Sequence, residues 1–100
     1  MFYSRALDLC SEADPNRKVY HSNRSAAHAA LGHHNDALKD ATICTELDPT
    51  WAKGWYRKGL AQVGLERYRD AEESYRTGVD YAPRDDDLQR ALQEVKMMEN

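Results

Sequence analysis

Apolar residues in this 100-residue chain recur at helical spacing, in short blocks broken by polar turns. The blocks predict helices near residues 2–13, 17–31, 36–47, 51–64, 69–81 and 86–98. Leu88, Leu92 and Val95 make one clear stripe, with Gln89, Arg90, Gln93, Glu94 and Lys96 left to face water. Pro15, Pro49 and Pro83 each stop a helix, and Asn16 and Thr50 are the expected N-caps of the helices that follow. Gly32-His33-His34-Asn35 reads as a tight turn with Asn35 as the next cap, and Leu65-Glu66-Arg67-Tyr68 as its counterpart. Asp85-Asp86-Asp87 sets negative charge at the positive end of the last helix.

The three prolines stand 34 residues apart, so the breaks themselves are periodic. Shifted by that period, Asp14-Pro15 returns as Asp48-Pro49, Leu31 as Leu65, and Asp36-Ala37 as Asp70-Ala71. Arg24 returns as Lys58 and Ser25 as Gly59. Ser25, Ala37 and Cys44, then Gly59, Ala71 and Gly78, are small side chains placed where antiparallel helices cross closely. A glycine inside a helix costs about 1 kcal/mol against alanine, so close packing must repay Gly59 and Gly78. The fold expected is all-α, a stack of helix pairs. Residues 1–16 would be the second helix of a partial first repeat, 17–50 a second repeat, 51–84 a third and 85–100 a capping helix. On this reading the chain starts halfway through a unit, which leaves Phe2, Tyr3, Leu7 and Cys10 short of packing partners. It therefore reads as N-terminally truncated, and its uncovered first helix invites self-association.

Composition narrows the function. A net charge of −3 gives no support to nucleic-acid or anionic-membrane binding. No apolar run reaches the roughly 18 to 20 residues of a membrane span, and Met1-Phe2-Tyr3-Ser4-Arg5 lacks the layout of a signal peptide. A cytoplasmic setting is expected. Cys10 and Cys44 lie one period apart and read as small packing residues, not as a disulfide or metal pair. His21, His28, His33 and His34 lack an acidic or cysteine ligand that would complete a tetrahedral site, so no metal and no cofactor are expected. Trp51, Trp55, Tyr56 and Tyr68 could stack bases, but the negative charge argues for packing, with Trp55 between helices. Neither a nucleophile elbow, nor a phosphate loop, nor a zinc-protease motif is present, so no enzyme is expected.

One constellation points to binding. Lys53 and Arg57 are four apart and share a helix face, and Asn23 stands one period before Arg57 on the equivalent helix. Stacking in register gathers two cations and an amide on one concave wall, a set suited to a peptide's terminal carboxylate. Ala26 and Ala30 leave room along the groove, and Leu60 offers an apolar contact. Exposed lysines and arginines usually do no more than solvate a helix, so the geometry alone does not decide the matter.

The stretches Tyr20 to Ala27, Ala37 to Ala41, Leu47-Asp48-Pro49 and Trp51 to Gly59 resemble the tetratricopeptide repeat (TPR) family, over nearly the whole chain. That resemblance implies a right-handed superhelical solenoid of about two and a half TPR units plus a cap. Ser22-Asn23-Arg24-Ser25-Ala26-Ala27 and Ala52 to Gly59 are similar to its carboxylate-clamp branch, which includes stress-inducible heat-shock-organising co-chaperones. It implies binding of the acidic Glu-Glu-Val-Asp tails of the seventy- and ninety-kilodalton heat-shock chaperones, with Asn23, Lys53 and Arg57 in the clamp. The branch has two further clamp members, a Lys and an Asn on the first helix of its first unit. That helix has no counterpart here, and Val19 stands one period before Lys53. Two charge-assisted bonds at about 1.5 kcal/mol each correspond to a loss of about 100-fold in affinity. The alternatives are a generic TPR scaffold for an unrelated partner, or a regulatory TPR segment of a larger enzyme.

Overall fold

The computed structural model describes residues 16–99. These form five helices: α1 (Arg17–Ala30), α2 (His34–Leu47), α3 (Ala52–Gly64), α4 (Tyr68–Tyr81) and α5 (Asp86–Met98). The predicted helix over 2–13, Cys10 and Pro15 lie outside the described residues. Each helix packs on the next, and α1 also touches α3, which sets the first helices of the two pairs side by side.

The small residues sit where the period placed them. Ser25, Ala37, Cys44, Gly59, Ala71 and Gly78 are all buried at helix contacts. A methyl group on Gly59 would lie 2.3 Å from the Tyr75 ring, and one on Gly78 2.9 Å from Leu88 and 3.3 Å from Trp55. Trp55 therefore does stand between α3 and α4, and its indole N–H donates to the Pro49 carbonyl at 2.8 Å. Leu88 and Val95 of α5 join Ala71 and Tyr75 in the apolar core, with Leu92 packed beside them. The capping helix thus closes one end of the stack.

Both tight turns are built alike. His33 N–H reaches the His28 carbonyl at 2.8 Å and Gly32 N–H reaches Ala29, with Gly32 at φ 78°. One period on, Arg67 N–H reaches Gln62 at 2.8 Å and Glu66 N–H reaches Val63, with Glu66 at φ 61°. These paired bonds satisfy the last carbonyls of α1 and α3 and require a left-handed residue at the same place in each turn. Glycine adopts that conformation without a Cβ clash; glutamate does so at a cost.

The expected caps are corrected in two places. Thr50 does not cap α3: its amide and hydroxyl both bond to the Asp48 carboxylate, and Trp51 takes the cap position. Asn35 lies inside α2, which starts earlier because the turn ends at His33. Asn16 holds the cap position of α1 without a side-chain cap bond. Asp85 caps α5 as expected, its carboxylate accepting from Leu88 N–H at 3.1 Å.

Candidate peptide-binding groove

Along α3, residues Lys53, Tyr56, Arg57 and Leu60 share one helix face and are exposed or half-buried. Lys53 is exposed and makes no ion pair among the described residues. Arg57 is half-buried, and its Nε donates to Ser22 Oγ at 3.3 Å, tying α3 to the buried side of α1. The guanidinium also lies 5.9 Å from the centre of the Tyr56 ring, a cation–π contact that steadies its plane. One nitrogen is thereby anchored, and no described acidic side chain pairs with the remaining ones.

Two adjoining hollows run between α3 and α5. One, of about 350 Å³, is lined by Lys53, Tyr56 and Arg57 facing Asp85 and Asp87. The other, of about 240 Å³, has Tyr56, Leu60, Val63 and Tyr75 on its apolar side and Asp87, Arg90 and Glu94 among its polar ones. Tyr56 and Asp87 border both, so the hollow lined by Lys53 and Arg57 passes directly into an apolar stretch. Lys53, Arg57 and Leu60 are thus brought to one run of surface. Asn23 is exposed on α1, next to the Ser22 that anchors Arg57; Ala26 is half-buried and Ala30 exposed on that same helix, and neither lines these two hollows.

Sequence reasoning missed three features. They are the roles of Ser22, Tyr56 and Asp40 in the fold. Asp40 is 2% exposed and accepts from both Arg24 Nε at 2.8 Å and Arg24 Nη2 at 2.9 Å. His21 Nδ1 stands 3.0 Å from the same carboxylate. Burial works to raise the Asp40 pKa, but the bonds from Arg24 and His21 outweigh it and hold the carboxyl below its ordinary value. Arg24 also reaches the Tyr20 hydroxyl at 3.1 Å, so one buried acid organises the α1–α2 contact. The available signal was spacing: Asp40 shares its helix face with the buried Ala37, Ala41 and Cys44.

The histidines are also corrected. The turn folds the chain back so that one donor atom each from His28, His33 and Asp36 lies within 4.8 Å of the others. An acidic group therefore does stand beside the histidines. His21 is instead held by Asp40, and the His34 ring covers Gly64. Burial pushes the Cys44 thiol up to about 11 and makes it unreactive; it is a free, buried cysteine whose Sγ contacts the Lys18 carbonyl.

No family model matches the chain. The solved TPR domain of Sgt2 from Aspergillus fumigatus superposes with a TM-score of 0.86, at 35% identity over 96% of this chain and 62% of that one. The fold is the all-α helical solenoid of tetratricopeptide repeat (TPR) domains. It is 41% identical over 97 residues to a heat shock protein sti1 homolog of Schizosaccharomyces pombe, covering 94% of this TPR chain and 16% of that protein. It is 38% identical over 104 residues to an Hsp70-Hsp90 organising protein of Plasmodium falciparum, covering 98% of this chain and 41% of that protein. The TPR chain therefore spans less than half the length of these curated relatives. Among its described residues no helix is long and apolar enough to cross a membrane.

Proposed function

We propose that this TPR domain is a co-chaperone adaptor module that binds the acidic C-terminal tails of heat-shock chaperones, by recognition and without turnover. The observation that carries the reading is the anchored Arg57: held at Nε by Ser22 and beside Lys53, it offers charge with no acidic partner of its own. Its relatives support the partner class, since one is named for organising Hsp70 and Hsp90 and another as a heat shock protein. In the bound state the terminal carboxylate pairs with Arg57 and Lys53, and Asn23 donates to the peptide from α1. The residue before the terminus drops its aliphatic side chain toward Tyr56 and Leu60. Asp85 and Asp87 line the same hollow as Lys53 and Arg57, so the two carboxylates offset part of its positive charge.

The test is calorimetric titration with a short peptide ending Glu-Glu-Val-Asp. Arg57→Ala and Lys53→Ala should each weaken binding about tenfold, a loss of about 1.5 kcal/mol per charge-assisted bond, and Asn23→Ala less. Binding unchanged in both cation variants would assign the groove to another partner through its apolar stretch.

A further inference from the structure

We propose that His28, His33 and Asp36 form a binding site for a divalent transition-metal ion, with zinc the ion best matched to two imidazoles and a carboxylate. The site joins the end of α1 to the start of α2, on the opposite helix pair from the hollow lined by Lys53 and Arg57. One donor atom from each residue already lies within 4.8 Å of the other two. The backbone fixes this approach, because His33 N–H bonds to the His28 carbonyl at 2.8 Å across Gly32. The two imidazole rings stand 6.0 Å apart between centres. His33 and Asp36 are exposed side chains, free to rotate inward to the about 2.0 to 2.2 Å that zinc requires of nitrogen and oxygen donors. Three protein donors leave one position for water.

Two independent observations favour a ligand here. His28 Nδ1 is buried with no hydrogen-bond partner, while Nε2 lies 3.6 Å from the buried Asp40 carboxylate. An imidazole with a carboxylate against one nitrogen and nothing on the other is the arrangement of a metal-ligating histidine with its supporting acid. The second observation comes from the following repeat. One period on, the same three positions hold Gln62, Arg67 and Asp70, and Arg67 pairs with Asp70 at 3.4 Å. There a guanidinium supplies the positive charge beside the aspartate. In the first pair the equivalent residue is His33, and a bound cation takes that place. Zinc would lock the α1–α2 turn as the Arg67–Asp70 pair fastens the α3–α4 turn. Imidazole nitrogens favour zinc, copper and nickel over magnesium or calcium, so the site discriminates by donor type.

The test is calorimetric titration of zinc chloride into the reduced, chelator-treated full chain, paired with thermal unfolding. The expected result is one zinc per chain and a raised melting temperature. His33→Ala and Asp36→Asn, both at exposed positions, should each weaken zinc by about tenfold or more while leaving metal-free melting nearly unchanged. Asp70→Asn should leave zinc binding unaltered. Absence of binding at millimolar zinc would overturn the proposal. Undiminished binding in His33→Ala or Asp36→Asn would also overturn it, by placing the metal elsewhere, for instance on the thiols.

Discussion

The two helix pairs share a backbone plan and differ in how much buried polar chemistry fills it. In α1 and α2 the buried polar residues His21, Ser22, Ser25, Asp40 and Thr45 stand among the apolar Tyr20, Ala37, Ala41 and Cys44. Between α3 and α4, closed by α5, the core is built on Ala71, Tyr75, Leu88 and Val95, with Gln62 and Ser74 as its buried polar pair. Position by position, Ser25 opposite Ala41 becomes Gly59 opposite Tyr75, where the ring occupies the space a Cβ would take. The His28–Asp40 approach at 3.6 Å becomes the Ser74–Gln62 hydrogen bond at 2.6 Å. A repeat therefore fixes where side chains meet, not what they are. The first pair is held by one charged centre, the second by ring packing.

The largest loss of stability is expected at Asp40. Asp40→Ala leaves Arg24 and His21 without their shared acceptor and should cost about 3 kcal/mol or more in urea unfolding. The carboxyl's lowered pKa gives the pH dependence its sign: the folded form holds the proton less readily than the unfolded chain. This contribution is therefore fully present at neutral pH and falls away once pH drops below about 4, the ordinary aspartate value, toward the folded one. Unfolding curves from pH 7 to 2 should show that loss, and Asp40→Ala should flatten it.

Next in size is Gly59→Ala, whose methyl must displace the Tyr75 ring, at a cost of about 2 kcal/mol by the same measurement. In the other pair Ser25→Ala removes only the bond to the Ala37 carbonyl, and in the same pair as Gly59 Ser74→Ala removes only its bond to Gln62, each costing about 1 kcal/mol. The smallest effects should be opposite in sign at the two turns. Gly32→Ala destabilises and Glu66→Gly stabilises, each by about 1 kcal/mol or less, because both positions are left-handed and only one has the residue suited to it. Thermal unfolding of the pair checks this.

Fold and register were legible because they follow from spacing. The 34-residue period of Pro49 and Pro83 placed the small residues at helix crossings and set Lys53 and Arg57 on one face. Cap chemistry was less legible: Thr50 looks like a cap until the neighbouring Asp48 claims its hydroxyl. The site was legible in its cations but not in its supports. Ser22 meets Arg57 across 35 positions of sequence, and no local pattern announces that bond. Asp85 and Asp87 read as helix-capping charge, and only the fold of α5 back over α3 reveals them opposite Lys53. Asp36 escaped the histidine reading for the same reason, since the turn at Gly32 supplies the proximity.

The central claim is that the α3 cations recognise a carboxylate at a chain end. The most direct measurement compares one Glu-Glu-Val-Asp peptide with a free C-terminus and with an amidated one, titrated into this domain. The account predicts that the free acid binds about tenfold or more tightly, and that Arg57→Ala erases the difference. Equal affinity for acid and amide would contradict it.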